Sequence, residues 1–299
     1  MNAPFDTVPP FGRLLTAMVT PFKDDLSIDW EGVERLALHL EKSGHDGIVV
    51  NGTTGEAPTT SDEEKIEIIK RVKSATGGRL KVVAGAGNNE TSHSVEQAQM
   101  AAKAGADGLL VVTPYYNKPP QAGIFAHFTA MASATDLPVM LYDIPGRTGV
   151  AIETETIVRL AENPKIVALK DAKGDLASTS WVIQRSGIPV YSGDDILNLM
   201  FLSIGGVGFV SVCGHTVGDR LRTMLDAWFA GDVRTAQEIH HRLLPIYSGT
   251  FRTQGAILTK AALSLLGLPG GKVRLPLVDA TAEQIATLRE DLRAGGLSL

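Results

Sequence analysis

The chain has 299 residues, 44% of them hydrophobic and 20% charged, which is ordinary for a globular protein and excludes a disordered or fibrous chain. A net charge of -5 with no extended run of Lys or Arg offers no basic stripe, so neither nucleic acid nor an anionic membrane is expected as a partner. The single cysteine, Cys213, can form no internal disulfide and belongs to no CxxC pair, which points to a packed thiol and to the reducing cytoplasm.

The opening MNAPFDTVPPFG lacks a basic segment followed by an apolar one, and no stretch reaches the roughly 18 apolar residues that span a membrane. Its three prolines predict an extended segment over residues 1–12. From Leu14 onward, short apolar runs alternate with longer amphipathic segments. The runs are LLTAMVTPF, GIVVNG, KVVAGAG, GLLVVTP, PVMLYDIP, IVALKDA, PVYSGDD and GVGFVSV. Most lack polar alternation, as suits parallel strands covered on both faces.

Helices are expected between them, for example over 62–74, where Ile66, Ile69 and Val72 recur, and over 92–104. Ser61 and Glu64 have the spacing of a capping box, and AGAD at 104–107 and ATDLP at 134–138 read as helix stops. Eight β units favour an α/β fold of the (β/α)8 TIM-barrel type over a doubly wound sheet, which has fewer strands. After SVCGH the strand pattern ceases, and helices are predicted over 216–230, 233–247, 252–266 and 282–294. The organisation expected is a catalytic barrel over 13–230 and a C-terminal helical domain over 231–299, packed against it without a flexible linker.

A parallel barrel carries its active site at the C-terminal ends of its strands. That rule gathers Thr20, NGTTGE (51–56), PYYN (114–117), YDIPGRTG (142–149), Lys170 and SGDD (192–195). Period-two alternation puts Ile166, Ala168 and Lys170 on one face of their strand, and Val167 and Leu169 on the other. An amine walled by apolar side chains loses hydration, keeps a neutral fraction and can attack a carbonyl. Pairing with Asp171 or Asp143, or an amine reaching out to the rim, is the competing reading of the same pattern. Lys165 and Lys173 are expected to be solvated.

Tyr142 ends the neighbouring strand, so its phenol could pass protons in the same cavity or simply be a core tyrosine. Arg147 sits in a Pro-Gly loop, where a guanidinium fork suits a carboxylate, although a surface turn arginine reads the same way. NGTTGE offers two hydroxyls and backbone amides for a carboxylate or a proton relay, and lacks the GxxxxGK[ST] pattern of a nucleotide loop. GAGNNE (85–90) misses a dinucleotide fingerprint, and the seven histidines show no metal spacing, so no metal and no cofactor are expected.

The ordered set GTTGE, VTPYYNKPPQAGIFAHF, LYDIPGRTG, ALKDAKGD, YSGDD and GFVSV resembles the dihydrodipicolinate synthase and N-acetylneuraminate lyase family of pyruvate-dependent class I aldolases, over nearly the whole chain. The resemblance implies a barrel with a C-terminal helical domain and a homotetramer built as a dimer of dimers. By motif, Lys170 would form a Schiff base with pyruvate and Tyr142 would shuttle protons. Thr53 would link Tyr142 to a Tyr116 reaching in from the neighbouring subunit. Thr54 would hold the pyruvate carboxylate, Arg147 the second substrate's carboxylate, and Gly193 and Val210 would shape the pyruvyl pocket.

Arg147 within Arg-Thr-Gly is similar to the synthase branch, which condenses pyruvate with L-aspartate-4-semialdehyde in the diaminopimelate and lysine pathway. Another pyruvate-dependent aldolase, acting on sugar acids or hydroxy-oxo acids, shares Lys170 and Tyr142. A non-catalytic binding barrel is a further alternative. Asp143, Gly146 and TQGAILTKAAL (253–263) depart from common family residues. Asp62 and His93 replace a His and a Glu of the lysine-binding cleft, while Asn89 and Tyr115 remain, which implies weak or absent inhibition by lysine.

Overall fold

The computed structural model describes residues 8–299. Its eight strands are β1 (Leu14–Ala17), β2 (Gly47–Val50), β3 (Lys81–Gly85), β4 (Gly108–Val112), β5 (Val139–Asp143), β6 (Ile166–Asp171), β7 (Val190–Ser192) and β8 (Gly208–Ser211). They pair in parallel and in chain order, and β8 returns to β1 through Leu15↔Val210, so the sheet closes into a barrel. Each predicted apolar run contains one strand.

The barrel helices are α1 (Trp30–Lys42), α2 (Asp62–Thr76), α3 (Thr91–Lys103), α4 (Gln121–Ser133), the short α5 (Pro145–Thr148), α6 (Thr154–Leu160), α7 (Leu176–Ser186) and α8 (Asn198–Ser203). Then come α9 (Gly214–Phe229), α10 (Val233–Thr250), α11 (Gly255–Leu265) and α12 (Ala282–Ala294). Both bonds of the predicted capping box start α2: Glu64 N donates to Ser61 Oγ and Ser61 N to the Glu64 carboxylate. The buried stripe of α2 runs through Ile68, Ile69, Val72 and Thr76, so Ile66, expected in that stripe, is only half-buried. The helix expected from residue 252 starts at Gly255, because α10 continues to Thr250 and the Gln254 side chain caps Ala256 N.

Alternation sorts the strand residues into two layers. Leu15, Ala17, Val49, Val83, Met140, Tyr142, Ala168, Tyr191 and Val210 fill the barrel, whereas Ile48, Val82, Leu109, Val139, Leu141, Leu169 and Val190 face the helices. A third cluster joins Leu14, Phe209 and the buried Cys213 to Leu243, Ile246, Leu258 and Leu288. The C-terminal helices thus share one apolar core with the end of the barrel, which holds them rigidly against it.

Two further expectations change. Residues 1–7 of the predicted extended segment lie outside the described residues, and residues 9–12 close a turn, with Gly12 N donating to Pro9 O. That turn drives Phe11, 1% exposed, into the barrel interior. Ile166 does not share Lys170's face. Val139 pairs with Ile166 but Met140 with Ala168, and this register shift leaves Ile166 in the outer layer and Ala168 inside.

Candidate active site

Beyond the shift, strand register sets Lys170 beside Tyr142 of β5 and Tyr191 of β7. Lys170 is 4% exposed, and its Nζ lies 4.2 Å from the centroid of the Tyr142 ring. Burial lowers its pKa to about 7; the Arg147 charge pushes the same way and Asp195 opposes it. The carboxylates that competed for it are occupied. Asp143 lies 3.6 Å from Lys173 Nζ, and Asp171 accepts from Lys173 N and Thr179 Oγ1. Lys173 is therefore not the solvated loop residue anticipated: its side chain is only 10% exposed and is held by Asp143 and Ser178.

A cavity of about 440 Å³ opens over this amine, lined by Thr54, Tyr142, Arg147, Lys170, Gly193 and Asp194 together with residues of α10 and its C-terminal end. A second, of about 350 Å³, is lined by Asn51, Thr53, Lys65, His93, Tyr115 and, again, Tyr142 and Arg147. Tyr142 and Arg147 thus stand between the two. Burial pushes the Tyr142 phenol up to about 12, with Asp194 adding to the effect and Arg147 countering it, so the hydroxyl stays protonated at neutral pH. Gly193 is needed for close approach: a Cβ there would lie 3.0 Å from Lys170 Cε and 3.1 Å from Asp171 O.

The GTTGE loop is fixed from beneath. Thr20 Oγ1 donates to Gly55 O at 2.7 Å, which gives that threonine a structural role. Glu56, in the left-handed region at φ 56°, sends its carboxylate away from the cavity, to Lys260 Nζ on α11 (2.5 Å) and Arg274 N (2.9 Å). Lys260 also donates to Lys272 O, while the Arg274 guanidinium binds both Glu64 oxygens. Nothing local in the sequence signals these contacts, since Glu56 and Lys260 are 204 residues apart.

Of the residues anticipated, Lys170, Tyr142, Thr54, Arg147 and Gly193 meet at the first cavity, and Thr53 joins Tyr142 and Arg147 at the second. Val210 is fully buried in the inner layer with Tyr142 and Ala168, and lines neither cavity. Tyr116 stands apart: it is 87% exposed, with φ 73°, and only its backbone is tied inward, to Thr148 O. Sequence reasoning does not find Tyr247, Ser248 and Phe251, although it predicts the α10 helix, because the placement of that helix beside the Lys170 cavity is a tertiary fact. Asp62 accepts from Lys65 and Gln97, with His93 Nε2 3.6 Å away, so the second cavity has a charged, internally satisfied wall.

The model of the dihydrodipicolinate synthetase family matches residues 10–295. The 4-hydroxy-tetrahydrodipicolinate synthase 2 of Streptomyces coelicolor is 60% identical over 290 residues, which cover 97% of each chain. The 4-hydroxy-tetrahydrodipicolinate synthase of Acidothermus cellulolyticus is 60% identical over 289 residues, 97% of this chain and 94% of that one. A solved structure of DHDPS from Cyanidioschyzon merolae with lysine bound superposes with a TM-score of 0.94 at 45% identity, covering 97% of this chain and 100% of that one. With an eight-stranded barrel, a buried amine at its mouth and relatives matched from end to end, the chain belongs to the dihydrodipicolinate synthetase family.

Proposed function

We propose that this protein is a 4-hydroxy-tetrahydrodipicolinate synthase, a class I aldolase that condenses pyruvate with L-aspartate-4-semialdehyde through an imine on Lys170. The observation that carries the reading is the buried Lys170 amine, lowered to about 7, in one cavity with Tyr142, Thr54 and Arg147. Relatives of that name, 60% identical over almost the whole chain, support this particular reaction.

The neutral amine attacks C2 of pyruvate and expels water, leaving an imine whose protonated nitrogen is a better electron sink than a ketone oxygen. Loss of a C3 proton gives an enamine, which attacks the aldehyde carbon. The amine of the second substrate then attacks the imine carbon, closes the ring and releases Lys170. Tyr142, still protonated at neutral pH, passes protons between these intermediates and a relay of Thr53 and Tyr116. Thr54 and the adjacent amides hold the pyruvate carboxylate, Arg147 holds the carboxylate of the aldehyde, and Gly193 leaves room for the pyruvyl methyl group, while Val210 supports that pocket from the inner layer it shares with Tyr142.

Tyr116 reaches the relay from a neighbouring subunit, in a cytoplasmic homotetramer built as a dimer of dimers. The 87% exposure of its side chain, on a backbone held at φ 73°, supports that assignment. A fully active monomer would contradict it. We set the boundary between catalytic barrel and helical domain after residue 230, at Gly231, which takes φ 85° between α9 and α10.

The substrate is tested by comparing rates with L-aspartate-4-semialdehyde and with sugar-acid aldehydes, each with pyruvate. Turnover confined largely to the amino aldehyde is expected; a preference for a sugar-acid aldehyde would assign another aldolase activity.

A further inference from the structure

The two acids of SGDD are adjacent in the chain and have opposite surroundings. Asp195 is buried and saturated: its carboxylate accepts from Ser211 Oγ (2.5 Å), Val212 N (2.8 Å), Cys213 N (2.9 Å) and Asn198 Nδ2 (3.1 Å). It pins β8 to the segment after β7 and has no capacity left for a ligand. Asp194 is half-buried, lines the Lys170 cavity and makes no ion pair among the described residues; the only group tied to its carboxylate is the backbone amide of Ile196. It directly follows Gly193, whose Cβ position lies 3.0 Å from Lys170 Cε, so its backbone is held one residue from the reacting amine.

The same cavity contains the guanidinium of Arg147, which likewise has no carboxylate partner among the described residues. One free, exposed cation and one free, half-buried anion, both lining the cavity of a neutral amine, match a zwitterion. Burial, with the neighbouring Asp195 charge, raises the Asp194 pKa. That shift is the cost of an unpaired carboxylate, and a bound cation would relieve it.

We infer that Asp194 is the specificity residue for the second substrate, binding the ammonium of an amino-acid semialdehyde while Arg147 takes its carboxylate. This rests on the function proposed above and identifies the part of the cavity that separates amino aldehydes from aldehydes lacking nitrogen. It also accounts for one saturated acid standing beside one unsatisfied acid: the first builds the wall and the second faces the substrate.

The test pairs wild type with Asp194→Asn, which keeps the shape and loses the charge, and with Asp194→Ala. Each is assayed by pyruvate consumption with L-aspartate-4-semialdehyde and with 4-oxobutanoate, the same aldehyde without its amine. For Asp194→Asn, kcat/KM with the amino aldehyde should fall about 10- to 100-fold, as for loss of a charge-assisted hydrogen bond, while 4-oxobutanoate changes less than about threefold. Formation of the reduced pyruvate adduct should be unchanged, which establishes that the variant is folded. Equal losses on both aldehydes, or no loss on either, overturn the assignment and leave the proposed reaction intact. A wild-type protein that ignores L-aspartate-4-semialdehyde overturns both.

Discussion

Two lysines are buried among the described residues, and they are buried alike. Lys170 is 4% exposed and Lys260 2%, and each Nζ lies 4.2 Å from the centroid of an aromatic ring, Tyr142 in one case and Phe22 in the other. They differ in company. Lys260 Nζ has Glu56 Oε1 and Lys272 O at 2.5 Å each, and although burial lowers its pKa, attraction to Glu56 restores it to about 8. Lys170 has no such partner and falls to about 7. A buried charge is tolerable when paired, and a buried amine is a nucleophile when it is not. Depth alone therefore does not mark a catalytic lysine; the absence of a carboxylate does.

The rings sharpen the contrast. Tyr142→Phe gives Lys170 the same kind of ring that Lys260 has, removing only the hydroxyl, and the rate should fall about 10²- to 10⁴-fold with pyruvate binding largely spared. Steady-state kinetics checks this, and an unchanged kcat would remove Tyr142 from the proton path. Lys260→Met should act through the fold. Stranding Glu56 in a buried site should cost about 3–5 kcal/mol in denaturant unfolding, with part recovered in the Lys260→Met/Glu56→Gln double variant. The folded fraction should still form the pyruvate adduct, and loss of adduct from fully folded protein would erase the distinction between the two lysines.

The smallest effect is expected at the second cavity, where Lys65 is held by Asp62 much as Lys260 is by Glu56, and where His93 sits beside it. With those groups already paired, millimolar lysine should change the coupled rate little. Potent inhibition would show that Asp62 and His93 do not disable the cleft.

The barrel was legible because its strands are covered on both faces, so each is a nearly uninterrupted apolar run, and eight such runs count out the fold. Lys170 was legible because Ala168 and Lys170 do share the inner face. Ile166 misled, since a register shift at Val139 and Met140 leaves no local trace in an apolar run. Lys173 misled for another reason: its partner Asp143 lies on the neighbouring strand, and a loop lysine looks solvated until that neighbour is known. Glu56 with Lys260, and the division of labour between Asp194 and Asp195, depend on contacts tens to hundreds of residues away. Pattern locates strand ends, but partners decide what a polar group at a strand end can do.

Lys170 is the one buried amine without a carboxylate partner among the described residues, and on that ground the nucleophile. Reducing the protein with borohydride in the presence of pyruvate, across a pH series, and mapping the modified peptide tests it most directly. One adduct per chain is expected, on Lys170, absent from Lys170→Ala, forming more slowly as pH falls through about 7 because protonation removes the neutral amine. An adduct on Lys260 or another lysine, or near-normal turnover by Lys170→Ala, would contradict it.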